Sequence, residues 1–395
     1  MKDWIGGTFM VIGMVVGVAF MNIPTVVAIT GFYPGILMSV IVWFFVCSVA
    51  LLYAEETLVT IDGANAITIS HSLLGNFWSY IVAIIFAFNL YGFLTAYLIV
   101  GTQTVKYFLP HIPLSDWLVI LILALIFGGV VYLGISATNK LNFVLCIGLI
   151  VSFVGCLFAG KDYILFRRLS LHSHWIFISF SVPVIFSALG FAAFVPSLCS
   201  FLKRDPKKIF LSIFLGTLIS LVLFILWQML ILGIVSAGVL QMAHEQRISI
   251  SAYFTAIEKI PYLPLFINFL SFFAVTTSLL ISGITLVDFL SDGFKISLAK
   301  RTGVRRFLVV LTAFIPPIIF ASTIPKLSLS FVNAVTAPIG ELLINGLLPI
   351  WMAFRARYHY RLVTQPLLGG GKTALIILAV ALFFLIYLEA IAWIK

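Results

Sequence analysis

The stretch GMVVGVAFMNIP, residues 13–24, decides the fold. It is apolar enough to cross a bilayer, yet it carries two glycines four apart, an asparagine and a proline, all of which weaken or interrupt a helix. Lipid offers no partner to the backbone groups such an interruption releases, so it survives only where protein buries it or where it lines a cavity. The nature of the solvent around residues 13–24 is therefore the first thing to establish.

Composition establishes it. Hydrophobic residues make up 63% of the 395 and charged residues only 9%, with a mean hydropathy of +1.21, whereas soluble domains carry about 25% charged residues. The chain is expected to be a polytopic membrane protein. Its first apolar segment has no small-residue cleavage site leading into a polar domain, so it reads as a retained helix and not a signal peptide. Cys47, Cys146, Cys156 and Cys199 lie in apolar segments without metal or pairing spacing and read as small core residues.

Allowing about 20 apolar residues per crossing, the sequence predicts eleven transmembrane helices, at 6–29, 33–56, 77–105, 117–135, 141–160, 175–200, 209–235, 265–290, 307–323, 328–354 and 373–394. They are expected to form a single membrane domain over 1–395, with no second folded unit. The longest break, 236–264, contains HEQRISISAYFTAIEKIPYLP, which reads as a short amphipathic helix over one face. With the N-terminus in the cytoplasm, 15 of the 23 Lys and Arg fall in inside loops, which satisfies the positive-inside rule. The net charge of +10 and the clusters KRDPKK and KRTGVRR are then topology signals, with no nucleic-acid partner implied, and the C-terminus falls outside.

The opening stretch has a counterpart five helices on. Residues 17–24 read GVAFMNIP and residues 190–196 read GFAAFVP, each with Gly-x-Ala, aromatic residues and a closing proline. Five is odd, so helices 1–5 (about 5–160) and 6–10 (about 175–354) would be inverted repeats with helices 1 and 6 broken, and helix 11 (373–394) an addition. Free amides at such a break suit a carboxylate and free carbonyls suit a cation, so a pair of breaks suits a zwitterionic amino acid. Against this stands close helix packing, which Gly13-x-x-x-Gly17 would also serve.

These residues resemble a known family. IGMVVGVAFMNIP in helix 1, Trp43 and the closing LLYAEE in helix 2, VPVIFSALGFAAFVPSLCSFLKRDPKKI in helix 6 and TSLLISGITLVDFLSDGF in helix 8 together look like the bacterial tyrosine/tryptophan-specific aromatic amino acid permeases. The resemblance implies the leucine-transporter-like fold of the amino acid–polyamine–organocation superfamily, in the bacterial inner membrane. It also implies uptake of an aromatic amino acid by proton symport, with no cofactor and no obligatory protein partner. Family members usually carry Gly-x-Gly in the first break, where this chain has Gly17-Val18-Ala19, and a histidine after the helix 6 Gly-Phe, where it has Ala192.

The expected substrate site is backbone at Gly13, Val16, Gly17, Val18 and Ala19 with Ser187, Ala188, Leu189 and Gly190, and Phe191 closing over the substrate ring. In helix 3, Asn89, Tyr91, Thr95 and Tyr97 are polar at membrane depth, and Tyr91 is the expected contact to the substrate. Coupling has two readings. Thr277 and Ser278 resemble the hydroxyl pair that completes a sodium site with carbonyls of Gly13 and Val16, while Glu341, deepest of the intramembrane carboxylates, suits a proton. The other intramembrane carboxylates are Asp288, Glu55, Glu56 and Glu389, of which Asp288 and Glu55 serve equally as proton sites or as gate residues paired with basic side chains. A sodium-coupled transporter of other neutral amino acids stays open as an alternative, as more remotely does a membrane enzyme. An enzyme would gather histidines or paired carboxylates at one depth, whereas all six histidines fall in loops or at helix ends. A channel would repeat filter segments, and none repeats here.

Overall fold

The 50° bend between Asp3–Val15 (α1) and Val18–Thr30 (α2) is where the backbone first departs from regular helix. These two helices together are long and apolar enough to cross a membrane once. The computed structural model describes residues 3–171, 174–246, 250, 253–254, 260–323 and 340–394, and among them the regular elements are all helical. Eight further helical segments reach crossing length among the described residues: Phe32–Leu58, Asn76–Phe108, Ile135–Tyr163, Ile178–Phe201, Pro206–Ile234, Leu263–Gly293, Gly303–Thr323 and Gly371–Leu388. The apolar helix Asp116–Tyr132 is shorter, at 17 residues. The chain is a polytopic helical membrane protein.

In chain order the helices after α2 are α3 (Phe32–Leu58), α4 (Ala66–Leu74), α5 (Asn76–Phe108), α6 (Asp116–Tyr132) and α7 (Ile135–Gly160). They continue as α8 (Phe166–Leu171), α9 (Ile178–Leu189), α10 (Val195–Phe201), α11 (Pro206–Ile234) and α12 (Ala237–Glu245). Next come α13 (Leu263–Gly293), α14 (Gly303–Thr323), α15 (Leu348–Phe354) and α16 (Gly371–Ile394). The start of α11 shows how sequence fixes these limits. In Asp205-Pro-Lys-Lys the Asp205 carboxylate accepts from the Lys207 and Lys208 amides, and Pro206 takes the first helical turn, where no amide partner is needed.

Burial ranks the helices. α13 has 89% of its most apolar window buried, whereas the window Gly371–Leu388 in α16 has 28%. The first is the central post of the bundle, packed on α5, α7 and α1. The second lies at the rim and presents Ile377, Val380, Phe383 and Phe384 outward, as a lipid-facing helix does. All four cysteines are buried and unpaired, as expected of small core residues.

Several details depart from the sequence expectation. Pro24 does not close a half-helix: the break lies at Val16–Gly17 and Pro24 sits buried inside α2. Pro196 does fall at a half-helix boundary, in the first turn of α10. The short helix α4 was not foreseen; it packs on α5 and holds Asp292 of α13 through Thr68. Within HEQRISISAYFTAIEKIPYLP, residues 247–249, 251–252 and 255–259 lie outside the described residues, as do residues 324–339 at the start of the expected tenth helix. The remainder of that helix is α15 with π-helical turns before it, at Leu343–Leu347, and after it, at Arg355–His359.

Candidate functional site

At the first break the hydrogen-bond ladder changes register. Gly17 N–H donates to the Val15 carbonyl at 3.0 Å instead of reaching back to Gly13. The Gly13 carbonyl, deprived of that helical partner, accepts from the Ser278 hydroxyl of α13 at 3.2 Å. Both glycines are required by close approach. A Cβ on Gly17 would lie 2.5 Å from Ser278 Oγ, and one on Gly13 would lie 2.4 Å from Asn142 Oδ1 of α7. Asn142 donates to the Phe9 carbonyl at 2.9 Å, so α7 also braces α1 just before the break. Glycine packing and a broken helix are thus realised together at residues 13–17. Val16 and Val18 are buried and Ala19 is half-buried at the start of α2, where the first amides of a helix lack intrahelical acceptors.

The second break follows α9. Gly190 still donates to Phe186 at 2.9 Å, but its ψ of 127° and the φ of −150° at Phe191 leave the helix. Ala192 N–H, freed from its helical acceptor, donates at 2.8 Å to Asn345 Oδ1. The Asn345 amide in turn donates to the Glu341 carboxylate. Asn345 and Glu341 stand one turn apart in the segment before α15, both buried. A Cβ on Gly190 would meet Asn345 Nδ2 at 2.6 Å and Glu341 Oε2 at 2.7 Å, so this glycine is what admits the polar pair to the break. Ser187 is half-buried, Ala188 and Leu189 are buried, and Phe191 is almost fully enclosed at 1% exposure.

α5 contributes from the side. Asn89 packs on Gly340, whose Cβ would lie 2.8 Å from Asn89 Nδ2. Tyr97 lies beside Ser278 and within the electrostatic reach of Glu341. Tyr91, the expected substrate contact, instead donates its hydroxyl to the Thr312 carbonyl of α14 at 2.9 Å. Tyr97 is therefore the tyrosine that α5 brings to the breaks. Thr277 also differs from expectation: its hydroxyl donates to Phe273 and Ala274 within α13, so only Ser278 of the expected pair reaches α1.

Asp288 belongs to a different place. It is ten residues beyond Ser278, about 15 Å along α13, where it accepts from the Ser197 hydroxyl at 2.8 Å and pairs with Arg301 at 3.5 Å. Arg301 also donates to the Gly63 carbonyl at 2.7 Å. With Ile135, Ser200, Leu298 and Arg306 these side chains line a cavity of about 150 Å³. Nearby, Arg204 donates to the carbonyls of Leu58 and Thr60 at the end of α3. Glu55 takes Arg357 through contacts of 2.7 to 2.9 Å and accepts the Leu368 amide at 2.8 Å. At this end of the bundle, which bears both basic clusters, charge pairs and carbonyl contacts join the helices.

Sequence reasoning missed Asn345 and Asn142 and ranked Tyr91 above Tyr97. Asn345 had one usable signal, its i+4 spacing from Glu341.

Comparison with known proteins adds an independent finding. Residues 1–388 match the model of the tryptophan/tyrosine permease family. A tryptophan-specific transport protein of Haemophilus influenzae is 28% identical, with 93% of this chain and 91% of the relative covered. The tyrosine-specific transport system 1 of the same organism is 27% identical, over 96% and 94%. The low affinity tryptophan permease of Escherichia coli K12 is 26% identical, over 81% and 80%.

Proposed function

The chain belongs to the tryptophan/tyrosine permease family, and from that premise we propose that it imports tryptophan or tyrosine across the bacterial inner membrane as a proton symporter. It is a transporter and not an enzyme, in keeping with its family. The observation that carries the substrate reading is the pair of helix breaks, each with backbone groups displaced from the helical ladder and buried polar side chains beside them.

In this reading the chain has eleven crossings, two inverted five-helix repeats and a final added helix, with the N-terminus in the cytoplasm and the C-terminus outside. The substrate carboxylate meets the free amides at the start of α2, its ammonium meets displaced carbonyls near Gly13 and Ser187, and its ring packs against Phe191. Tyr97 supplies a hydroxyl between Ser278 and Glu341. Glu341 takes the transported proton, held at the second break by Asn345. Asp288, with Arg301 and Ser197, gates the cytoplasmic end. Access alternates as the elements bearing the two breaks rock against α5, α6, α13 and α14.

Uptake of labelled tryptophan and tyrosine into liposomes containing the purified protein tests this, with proton and sodium gradients imposed separately. Accumulation under the proton gradient alone is expected. A sodium requirement would move coupling to Ser278 and the Gly13 carbonyl. No aromatic uptake under either gradient would overturn the substrate reading.

A further inference from the structure

The end of α3 carries two adjacent carboxylates in opposite circumstances. Glu55 is 2% exposed and fully matched, by the Arg357 guanidinium and the Leu368 amide. Glu56 is 0% exposed, and neither of its carboxyl oxygens has a hydrogen-bond partner among the described residues. Arg357 is the cation on the side of Glu56, but Glu55 already neutralises it. Tyr53, one turn earlier on α3, is equally enclosed, and its hydroxyl also has no hydrogen-bond partner among the described residues. The other groups that converge on Tyr53 and Glu56 are Cys199 of α10, Asp292 of α13 and the Ala353 backbone of α15. Asp292 is occupied by Thr68, and Arg204 is spent on carbonyls of α3. Among the described residues, no cation is left over for Glu56 in this cluster.

A carboxylate ion enclosed with no counter-ion of its own, and with only the Ala353 backbone facing it, is strongly disfavoured. A neutral carboxyl fits the same space. The position is also special, since α3 meets α10 and α15 around it, at the end of the bundle that has to open in transport. We propose that Glu56 is a proton-binding site tied to that end of the bundle: it holds a proton while the end is closed and gives it up when the end opens. This rests on the alternating-access reading above and adds to it a titrating group distinct from Glu341. On opening, water enters, the carboxyl O–H bond breaks and the proton leaves to the water on that side. On closing, the hydrated carboxylate recovers a proton from the same side before it is enclosed. The closed form binds one more proton than the open form, so the closed-to-open ratio falls as pH rises, by up to about tenfold per pH unit.

The test uses the full chain in liposomes without substrate. Infrared spectra of protein carrying isotope-labelled glutamate report the protonated carboxyl band, compared between wild type and Glu56→Gln. Opening is read separately as alkylation of Cys199 in a background with Cys47, Cys146 and Cys156 replaced by alanine. The slopes are compared below about pH 7, well under the ordinary thiol range, where ionisation of the exposed thiol adds the same factor of about ten per pH unit in every variant. The expected result is a protonated glutamate band diminished in Glu56→Gln, and alkylation that rises more steeply with pH in wild type than in Glu56→Gln, by up to about tenfold per pH unit. Glu56→Asp restores the steeper slope and carries the test if Glu56→Gln does not fold. Equal slopes in wild type and in the available variant without a carboxyl, a slope Glu56→Asp fails to restore, or an unchanged band would overturn the proposal. Failure of the transport reading shows separately, as wild-type vesicles that take up no aromatic amino acid.

Discussion

At the scale of single residues, what separates a site residue from a packing residue is its partner, and partners lie far away in sequence. Tyr91 and Tyr97 both lie in one polar-sprinkled helix, but the first spends its hydroxyl on Thr312 and the second stands beside Ser278 and Glu341. Tyr91→Phe is therefore expected to cost about 1 kcal/mol or less of stability and to leave the uptake KM unchanged. Tyr97→Phe is expected to raise the KM or lower the uptake rate, as kinetics in the same vesicles will show. Asn345→Ala removes the acceptor for the buried Ala192 amide. An amide left unpaired costs about 1–3 kcal/mol, which a thermal melt of the purified protein will register.

At the scale of elements, the first break was legible because glycine speaks locally: two glycines, an asparagine and a proline in an apolar run announce an interruption before any tertiary contact is known. Its exact place was not legible. Pro24 is tolerated inside α2, where it withholds only the amide that the Phe20 carbonyl would have taken. α4 and the π-helical turns around α15 were invisible for a related reason. α4 is fastened by Asp292 across the fold, and the turn at Leu343–Leu347 aims Asn345 at a distant amide; neither leaves a period in the local sequence. The charge pairs gave a partial signal, since Glu55 and Asp288 announced themselves as intramembrane carboxylates while Arg357 and Arg301 read only as loop cations. Breaking the Glu55–Arg357 pair by Arg357→Ala leaves a buried, uncompensated charge. The expected loss is about 3–5 kcal/mol, measurable as a lowered unfolding temperature, with Arg357→Lys recovering only part of it because one ammonium cannot reproduce the two-nitrogen fork.

At the scale of the whole molecule, the account joins a helical membrane protein, two breaks with polar support and a permease family match along residues 1–388. The eleven-crossing topology has its own check. A phosphatase fused after Lys395 is expected to be active and a fluorescent protein fused there dark; the reverse would require an even number of crossings from a cytoplasmic N-terminus. The claim on which everything else depends is that the two breaks form the substrate site. The most direct measurement is equilibrium binding of labelled tryptophan to purified wild type, Gly17→Val and Gly190→Val, with Val380→Ala on the lipid-facing rim as the control. Side chains at the two glycines would intrude on Ser278 and on the Glu341–Asn345 pair, so the account predicts affinity lowered by tenfold or more, about 1.4 kcal/mol, in both glycine variants and unchanged in the control. Wild-type affinity in a folded Gly17→Val or Gly190→Val protein would contradict it.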